Sequence, residues 1–183
     1  MLKIITLRKD KITDFAKERN DLLKKTNTDW GLFLDSDEEI YNLQFTIYNK
    51  FSSYKIKRDT YFLGKFIGSD YPTRLVKKGS GRWKRRVHEV WETNSKVGLL
   101  KNAVIIHNTA NDLKNYIDKI NYYSKLHALA NKEEGKKSSL LKIIFFPIGK
   151  FIVTLVKSKN VVFSIMQSFH SFLAWTELYF LHS

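Results

Sequence analysis

Asp35 and Asp37 stand one residue apart in the tetrapeptide Asp35-Ser36-Asp37-Glu38, directly after the apolar run Trp30-Gly31-Leu32-Phe33-Leu34. Two carboxylates so spaced can hold a hard divalent cation such as Mg²⁺ or Mn²⁺ without enclosing it, leaving positions for water and for the oxygens of a substrate diphosphate. The same residues also suit a solvated strand end, and both uses are open at this point. Further along, Arg74, Lys77, Lys78, Arg82, Lys84, Arg85 and Arg86 follow one another with no acid among them. Guanidinium forks match phosphate oxygens, so this run suits a diphosphate or a phosphorylated lipid, or else it is a solvated hairpin. His88-Glu89 comes next, and a glutamate there can take a proton from a hydroxyl or pair with the neighbouring cations. His107, after Val104-Ile105-Ile106, is a nitrogen donor acceptable to Mn²⁺ or an ordinary hydrogen-bonded residue at a strand end.

These groups need elements to position them. A short apolar run bounded by polar residues reads as a buried strand, which puts the carboxylates at its C-terminal end, where open α/β sheets bind ligands. Ile12, Phe15, Ala16, Leu22 and Leu23 recur at about helical spacing, so residues 12–25 are expected to form an amphipathic helix feeding that strand. Met1–Leu7 is too short in its apolar part for a secretory signal and reads as an earlier strand. Between Tyr54 and Ile106, β-rich stretches such as Tyr61-Phe62-Leu63, Thr73-Arg74-Leu75-Val76 and Ala103-Val104-Ile105-Ile106 are punctuated by glycines. Lys78-Gly79-Ser80-Gly81 is expected to turn a hairpin, with both glycines at positive φ. Leu113, Tyr116, Ile117, Ile120, Tyr123 and Leu126 mark one face of a long helix with Asn111 as its N-cap.

A polar break containing Gly135 separates this helix from Leu140–Leu181, where Leu, Ile, Phe and Val dominate, Lys142, Lys150, Lys157 and Lys159 intervene, and no acid occurs before Glu177. Pro147 and two lysines interrupt the stretch from Leu140 to Val156, and Gln167, His170 and Glu177 interrupt the next, so neither is a clean membrane span. Lysines among large apolar residues suit a segment lying in an anionic membrane interface, and equally helices packed on protein.

With 183 residues, 43% of them hydrophobic and 27% charged, the chain suits one folded domain with an appendage. Its net charge of +14 calls for an anionic partner. Basic residues interleave with Tyr61, Tyr71 and Trp83 as in single-strand binders, but no nucleic-acid motif is present and the apolar tail has no place there, which disfavours nucleic acid. The lack of cysteine excludes a disulfide framework, a thiolate metal site and a thiol nucleophile.

Arg19-Asn20, the Trp30–Glu38 segment, Arg58, the Gly64 turn, Arg74-Leu75, Trp83, His88-Glu89 and His107, in this order, resemble family 2 glycosyltransferases of the GT-A fold, in the branch of lipopolysaccharide-core and related β-glucosyltransferases. The resemblance runs from about Ile4 to Ala130 and more loosely into the tail. It implies an α/β fold, a truncated GT-A (Rossmann-like) sheet with a β-rich acceptor region and C-terminal apolar helices. Residues 1–132 would be the partial transferase domain, 133–139 a polar linker and 140–183 the tail. The implied activity is inverting, metal-dependent transfer of a hexose from a nucleotide diphosphate sugar to a glycan or lipid-linked acceptor in cell-envelope polysaccharide or lipopolysaccharide synthesis, at the cytoplasmic face of the membrane. By the same resemblance Asp37 ligates Mn²⁺ or Mg²⁺ directly, Asp35 meets the ribose or reaches the metal through water, and His107 approaches the metal. Arg19, Asn20 and Arg74 would bind the donor diphosphate, Glu89 would be the base, and Trp83 and His88 would lie in the acceptor region. The metal would neutralise charge on the departing diphosphate. Members of this family begin with a strand, helix, strand unit for the nucleotide base, which does not precede Met1 here. A partner chain supplying it, or a noncatalytic membrane-associated remnant or partner subunit, is the competing expectation.

Overall fold

Two runs of apolar residues, Leu2–Leu7 (β1) and Trp30–Asp35 (β2), lie side by side as parallel strands in register from Leu2 with Trp30 to Leu7 with Asp35. The computed structural model describes residues 1–7, 12–42, 46–48 and 50–181. Between the two strands runs helix α1 (Phe15–Lys25), which starts three residues later than the apolar spacing predicts because the Asp14 carboxylate caps it, accepting from the Lys17 amide at 2.9 Å. At its other end the Lys78 ammonium donates to the carbonyls of Lys24 and Thr26 at 2.9 and 2.8 Å. Both faces of β2 are covered, which explains its unbroken hydrophobic run. Leu32 and Leu34 point into a cluster with Tyr54, Ile56, Leu75 and Ile105, while Phe33 points the other way to Ile5, Ala16, Leu23 and Trp83. At Gly31 a Cβ would press on Ile5 and Leu23 at 3.1 Å, so glycine lets α1 settle close on the strand.

Asp35 leads through Ser36-Asp37 into β3 (Glu38–Tyr41). The other strands are β4 (Ser53–Phe62), β5 (Lys65–Asp70), β6 (Thr73–Lys77), β7 (Arg82–Lys84), β8 (Val90–Glu92) and β9 (Val97–Ala110). The main sheet has the order β1-β2-β6-β4-β9-β3, with β5 paired to β4. In this path β2 and β3 are four steps apart, about 19 Å at the usual strand spacing. The link from Asp35 to Glu38 spans at most about 11 Å, so the sheet curls to bring the two strand ends together. That curl places the acidic turn beside β9, with Glu38 opposite His107.

Leu63 and Gly64, at φ 48° and 75°, make the two-residue turn from β4 to β5. Lys78–Gly81 does not close a hairpin between its flanking strands, because β6 pairs with β2 and β4 whereas β7 pairs with β8 in a separate two-stranded sheet. Gly79 alone has positive φ there. Gly81 is needed for closeness instead, since a Cβ would strike the Glu92 carbonyl and lie 2.8 Å from the Trp91 ring.

Contacts divide the chain into one unit of residues 1–60 and 69–108 and another of 61–68 and 109–183. The second unit holds α2 (Leu113–Glu133) together with α3 (Leu140–Ser158) and α4 (Val161–Phe180). Asp112, not Asn111, caps α2 by accepting from the Asn115 amide at 2.8 Å. The core of the second unit gathers Phe62, Ile67, Ala110, Tyr116 and Ile120, with Phe163, Met166 and Leu173 of α4 packed against them. Among the described residues no helix is long and apolar enough to cross a membrane.

Candidate functional site

The buried stripe of α1 is Ala16, Arg19 and Leu23, so a guanidinium occupies a position where spacing alone calls for an apolar side chain. Arg19 is wholly buried between the rings of Phe33 and Trp83, 5.6 and 5.3 Å from their centroids. Two acids compensate its charge: Nη2 donates to Asp35 Oδ1 at 2.5 Å and Nε to Glu89 Oε1 at 2.7 Å. The other Asp35 oxygen accepts from Arg74 Nη2 at 2.8 Å, and that same nitrogen reaches Glu38 Oε1 at 2.6 Å. Arg58 extends the series, donating from Nη1 to Glu38 at 2.8 Å and from Nε and Nη2 to the two oxygens of Asp70 at 2.8 and 2.6 Å. Glu89, Arg19, Asp35, Arg74, Glu38, Arg58 and Asp70 thus form one chain of alternating charge.

Burial would raise the Asp35 carboxyl, but Arg74 and Arg19 outweigh it and hold the group below its ordinary value. Burial opposes the charge of Arg74 in the same way, and Asp35 and Glu38 overcome it and raise that guanidinium. Glu38 also holds the turn, its Oε2 accepting from the Asp35 amide at 3.0 Å.

Asp37 lies near Asp35, and its charge acts to raise the Asp35 carboxyl. His107 Nε2 is 3.3 Å from Asp37 Oδ2, and the Asn108 amide donates to the Asp37 carbonyl at 3.0 Å, so β9 fixes both groups. His107 Nδ1 is buried with no hydrogen-bond partner among the described residues. Among the described residues no three acid or imidazole groups converge as a metal cage. Asp37 and His107 are chemically suited to contact a cation that keeps water and substrate oxygens. Each Asp35 oxygen already accepts from an arginine, which leaves each a second lone pair. Among the described residues, the four carboxylates of this chain alternate with three guanidiniums.

Glu89 enters from the loop joining β7 to β8. Arg85 and His88 in that loop have φ of 78° and 53°, left-handed backbone that costs on the order of 1–3 kcal/mol each for such residues. Three attachments hold the loop in this conformation. Val87 is buried, the Phe15 amide donates to the Arg86 carbonyl at 2.9 Å, and Arg86 Nη1 donates to the Thr13 carbonyl at 3.1 Å. Asn20 clamps β7, its amide oxygen and nitrogen pairing with the N–H and C=O of Trp83, both at 2.9 Å.

No protein-family model matches the chain, and no curated protein matches it.

The fold brings Arg19, Asp35, Arg74 and Glu89 together, and places Asp37 with His107. It gives several of them different work from that expected. Arg19 and Arg74 spend their charge on internal carboxylates, Asn20 on a strand backbone, and Trp83 is buried against Arg19. His88 is exposed in the loop. The basic run from Arg74 to Arg86 is dispersed: Lys78 caps α1, Arg82 and Lys84 pair with Glu92 at 3.3 and 2.6 Å, and Arg86 ties the loop. Sequence reasoning missed Asp70 and the ionic part played by Glu38. The available signal was Arg58, a cation within the strand beginning at Ser53, which needed acids within reach.

Proposed function

We propose that this chain is a glycosyltransferase of GT-A type that moves a hexose from a nucleotide diphosphate sugar to a glycan or lipid-linked acceptor in cell-envelope polysaccharide or lipopolysaccharide synthesis. The observation that carries the reading is the bridge Asp35–Arg19–Glu89, in which one buried guanidinium sets the strand-end carboxylates and the loop carboxylate at a fixed separation. Glu89 accepts the proton of the acceptor hydroxyl as that oxygen attacks the anomeric carbon and the nucleoside diphosphate departs from the opposite face. Asp37 and His107 would hold Mn²⁺ or Mg²⁺, which would supply charge neutralisation at the departing diphosphate. Arg19 and Arg74 are positioning residues that keep Asp35 ionised and in place. The site works peripherally at the cytoplasmic face of the membrane, where lipid-linked acceptors are found.

Titrating nucleotide diphosphate hexoses into the protein with Mn²⁺ tests this. Saturable binding that Asp37→Ala removes is expected, with Glu89→Gln retaining binding and losing transfer about 10²–10⁴-fold. Absence of metal-dependent donor binding overturns it.

A second reading has its own support. Because Arg19 and Arg74 are buried and committed to carboxylates, neither offers a free fork to a diphosphate, as befits a noncatalytic, membrane-associated remnant or partner subunit. A partner chain that restores donor binding to a chain inert by itself distinguishes that case.

A further inference from the structure

The helical hairpin of α3 and α4 is built inside out for a water-soluble protein. Lys159, at φ 51°, and Asn160 turn the chain between the two helices. The residues buried on them are Pro147 and Thr154 of α3 and Ser164, Ala174 and Leu178 of α4. Hydroxyls there are satisfied by carbonyls: Ser158 Oγ donates to Thr154 O at 2.8 Å, Ser164 Oγ to Asn160 O at 2.7 Å, and Ser168 Oγ across the hairpin to Pro147 O at 2.9 Å. Leu178 is buried, and Phe163, Met166 and Leu173 pack on the core of the unit, but many other large apolar side chains point outward. On α3, Leu141, Phe145, Ile148, Ile152 and Val156 lie on one side and leave between 51% and 72% of their surface exposed. On α4, Val162, Ile165, Phe169 and Phe172 form a second exposed stripe.

Water favours the opposite arrangement, with large apolar residues between helices and small polar ones outside. Small residues at the helix contact and bulky ones outside are the pattern of helices solvated by lipid tails, which are as apolar as leucine. Exposed apolar surface on this scale marks an interaction site rather than ordinary surface.

Charge identifies the occupant. Lys142, Lys150 and Lys157, eight and seven residues apart, share one side of α3 and flank its apolar face. Lys137 and Lys159 add to them, while Lys136 pairs with Glu134 at 2.6 Å, and no acid occurs from Gly135 to Thr176. The Lys142 ammonium sits 5.4 Å from the Trp175 ring centroid, and Trp175 meets Phe146 edge-on at 4.8 Å, an aromatic and a cation together at the border of the apolar face. A second copy of the hairpin would bring the same lysines face to face, whereas anionic headgroups beside acyl chains complement both features.

We propose that the α3–α4 hairpin is a membrane-docking element that lies in the interface of an anionic bilayer, apolar faces in the acyl boundary and the lysines at the headgroups. This goes beyond the transferase reading and does not depend on it: Asp37→Ala leaves the docking intact. Flotation of the full-length chain with phosphatidylcholine vesicles, with and without phosphatidylglycerol, tests it. The chain is expected to float with the anionic vesicles. Changing Lys142, Lys150 and Lys157 together to glutamine weakens that partition on the order of 100-fold, about fivefold for each lysine. Phe145→Ser with Ile152→Ser, at exposed positions, weakens it on vesicles of either kind. Because the chain has no cysteine, an Ile152→Cys variant carrying an environment-sensitive dye gives a second readout, a blue shift on anionic vesicles. Failure to float, flotation indifferent to both sets of substitutions, no dye shift, or a concentration-dependent dimer that Phe145→Ser with Ile152→Ser dissolves in place of vesicle binding would each overturn the proposal.

Discussion

Replacing Arg19 with methionine keeps the length of the buried side chain and removes the guanidinium that Asp35 and Glu89 share. Removing one partner of a buried ionic network costs about 3–5 kcal/mol, because the remaining carboxylates keep their desolvation penalty, and a fall in the urea midpoint measures it. Arg19→Lys recovers little of that loss, since a single ammonium cannot reproduce a fork reaching two acids. Asp35 carries a pH signature of the same network. Burial opposes its ionisation, but Arg74 and Arg19 depress its folded pKa below 3.8, so its stabilising contribution is present above that value and disappears as pH falls through the depressed one. Urea melts from about pH 5 downwards are expected to show this loss in the native chain and not in Asp35→Asn. At this scale the sequence reading found the participants but not their partners. Arg19 and Arg74 were legible as cations near Asp35, yet whether a guanidinium faces solvent or a carboxylate depends on burial, which strand pairing decides.

The Asn20 clamp links α1 to β7, and through β7 to the Glu89 loop. Asn20→Ala removes two hydrogen bonds to the Trp83 backbone and is expected to cost about 1–3 kcal/mol, read in thermal melts, while amide hydrogen exchange quickens across residues 82–92. On α2, Tyr116 is pushed up to about 12, chiefly by burial, with the Gln167 amide donating to its oxygen and opposing the shift. Since the folded value exceeds the ordinary 10, this tyrosine's contribution to stability is complete below pH 10 and is lost as pH rises towards 12. Spectrophotometric titration should show a late tyrosinate component that Tyr116→Phe abolishes. Elements were the most legible level of this chain. The strand Trp30–Asp35, the helix marked by Tyr116 and Ile120, and the two tail helices follow from apolar spacing. Caps were less legible, because Asn111 and Asp112 are both suitable and only backbone geometry selects Asp112.

Over the whole molecule, opposite charges are sorted to different places. The chain carries +14, while among the described residues the network around Asp35 holds four carboxylates and three guanidiniums. A basic protein with an acidic site should meet anionic surfaces through its lysines and divalent cations through its acids. Raising ionic strength is therefore expected to weaken association with anionic vesicles towards the level seen with neutral ones, without abolishing it, because the apolar faces of α3 and α4 are not screened. Partition measured across a salt series checks this. Composition made the basic excess and the apolar tail plain. It did not reveal that contacts group α2 with the tail, because that grouping depends on Phe163, Met166 and Leu173 meeting Tyr116 and Ile120 across distant sequence.

By itself the amino-acid sequence determined the mixed α/β class, the acidic turn at the end of a buried strand, the absence of thiol chemistry and the lysine-rich apolar tail. Each is local, written in periodicity, in neighbouring residues or in composition. Only the tertiary structure decided that the sheet curls to bring Glu38 opposite His107, that Arg19 joins Asp35 to Glu89, and that many large apolar residues of the last two helices face outward. Those facts depend on strand order and on which helix faces meet, and the physical reason they escape the sequence is that a charge or an apolar face acquires its role from the partner it is buried against.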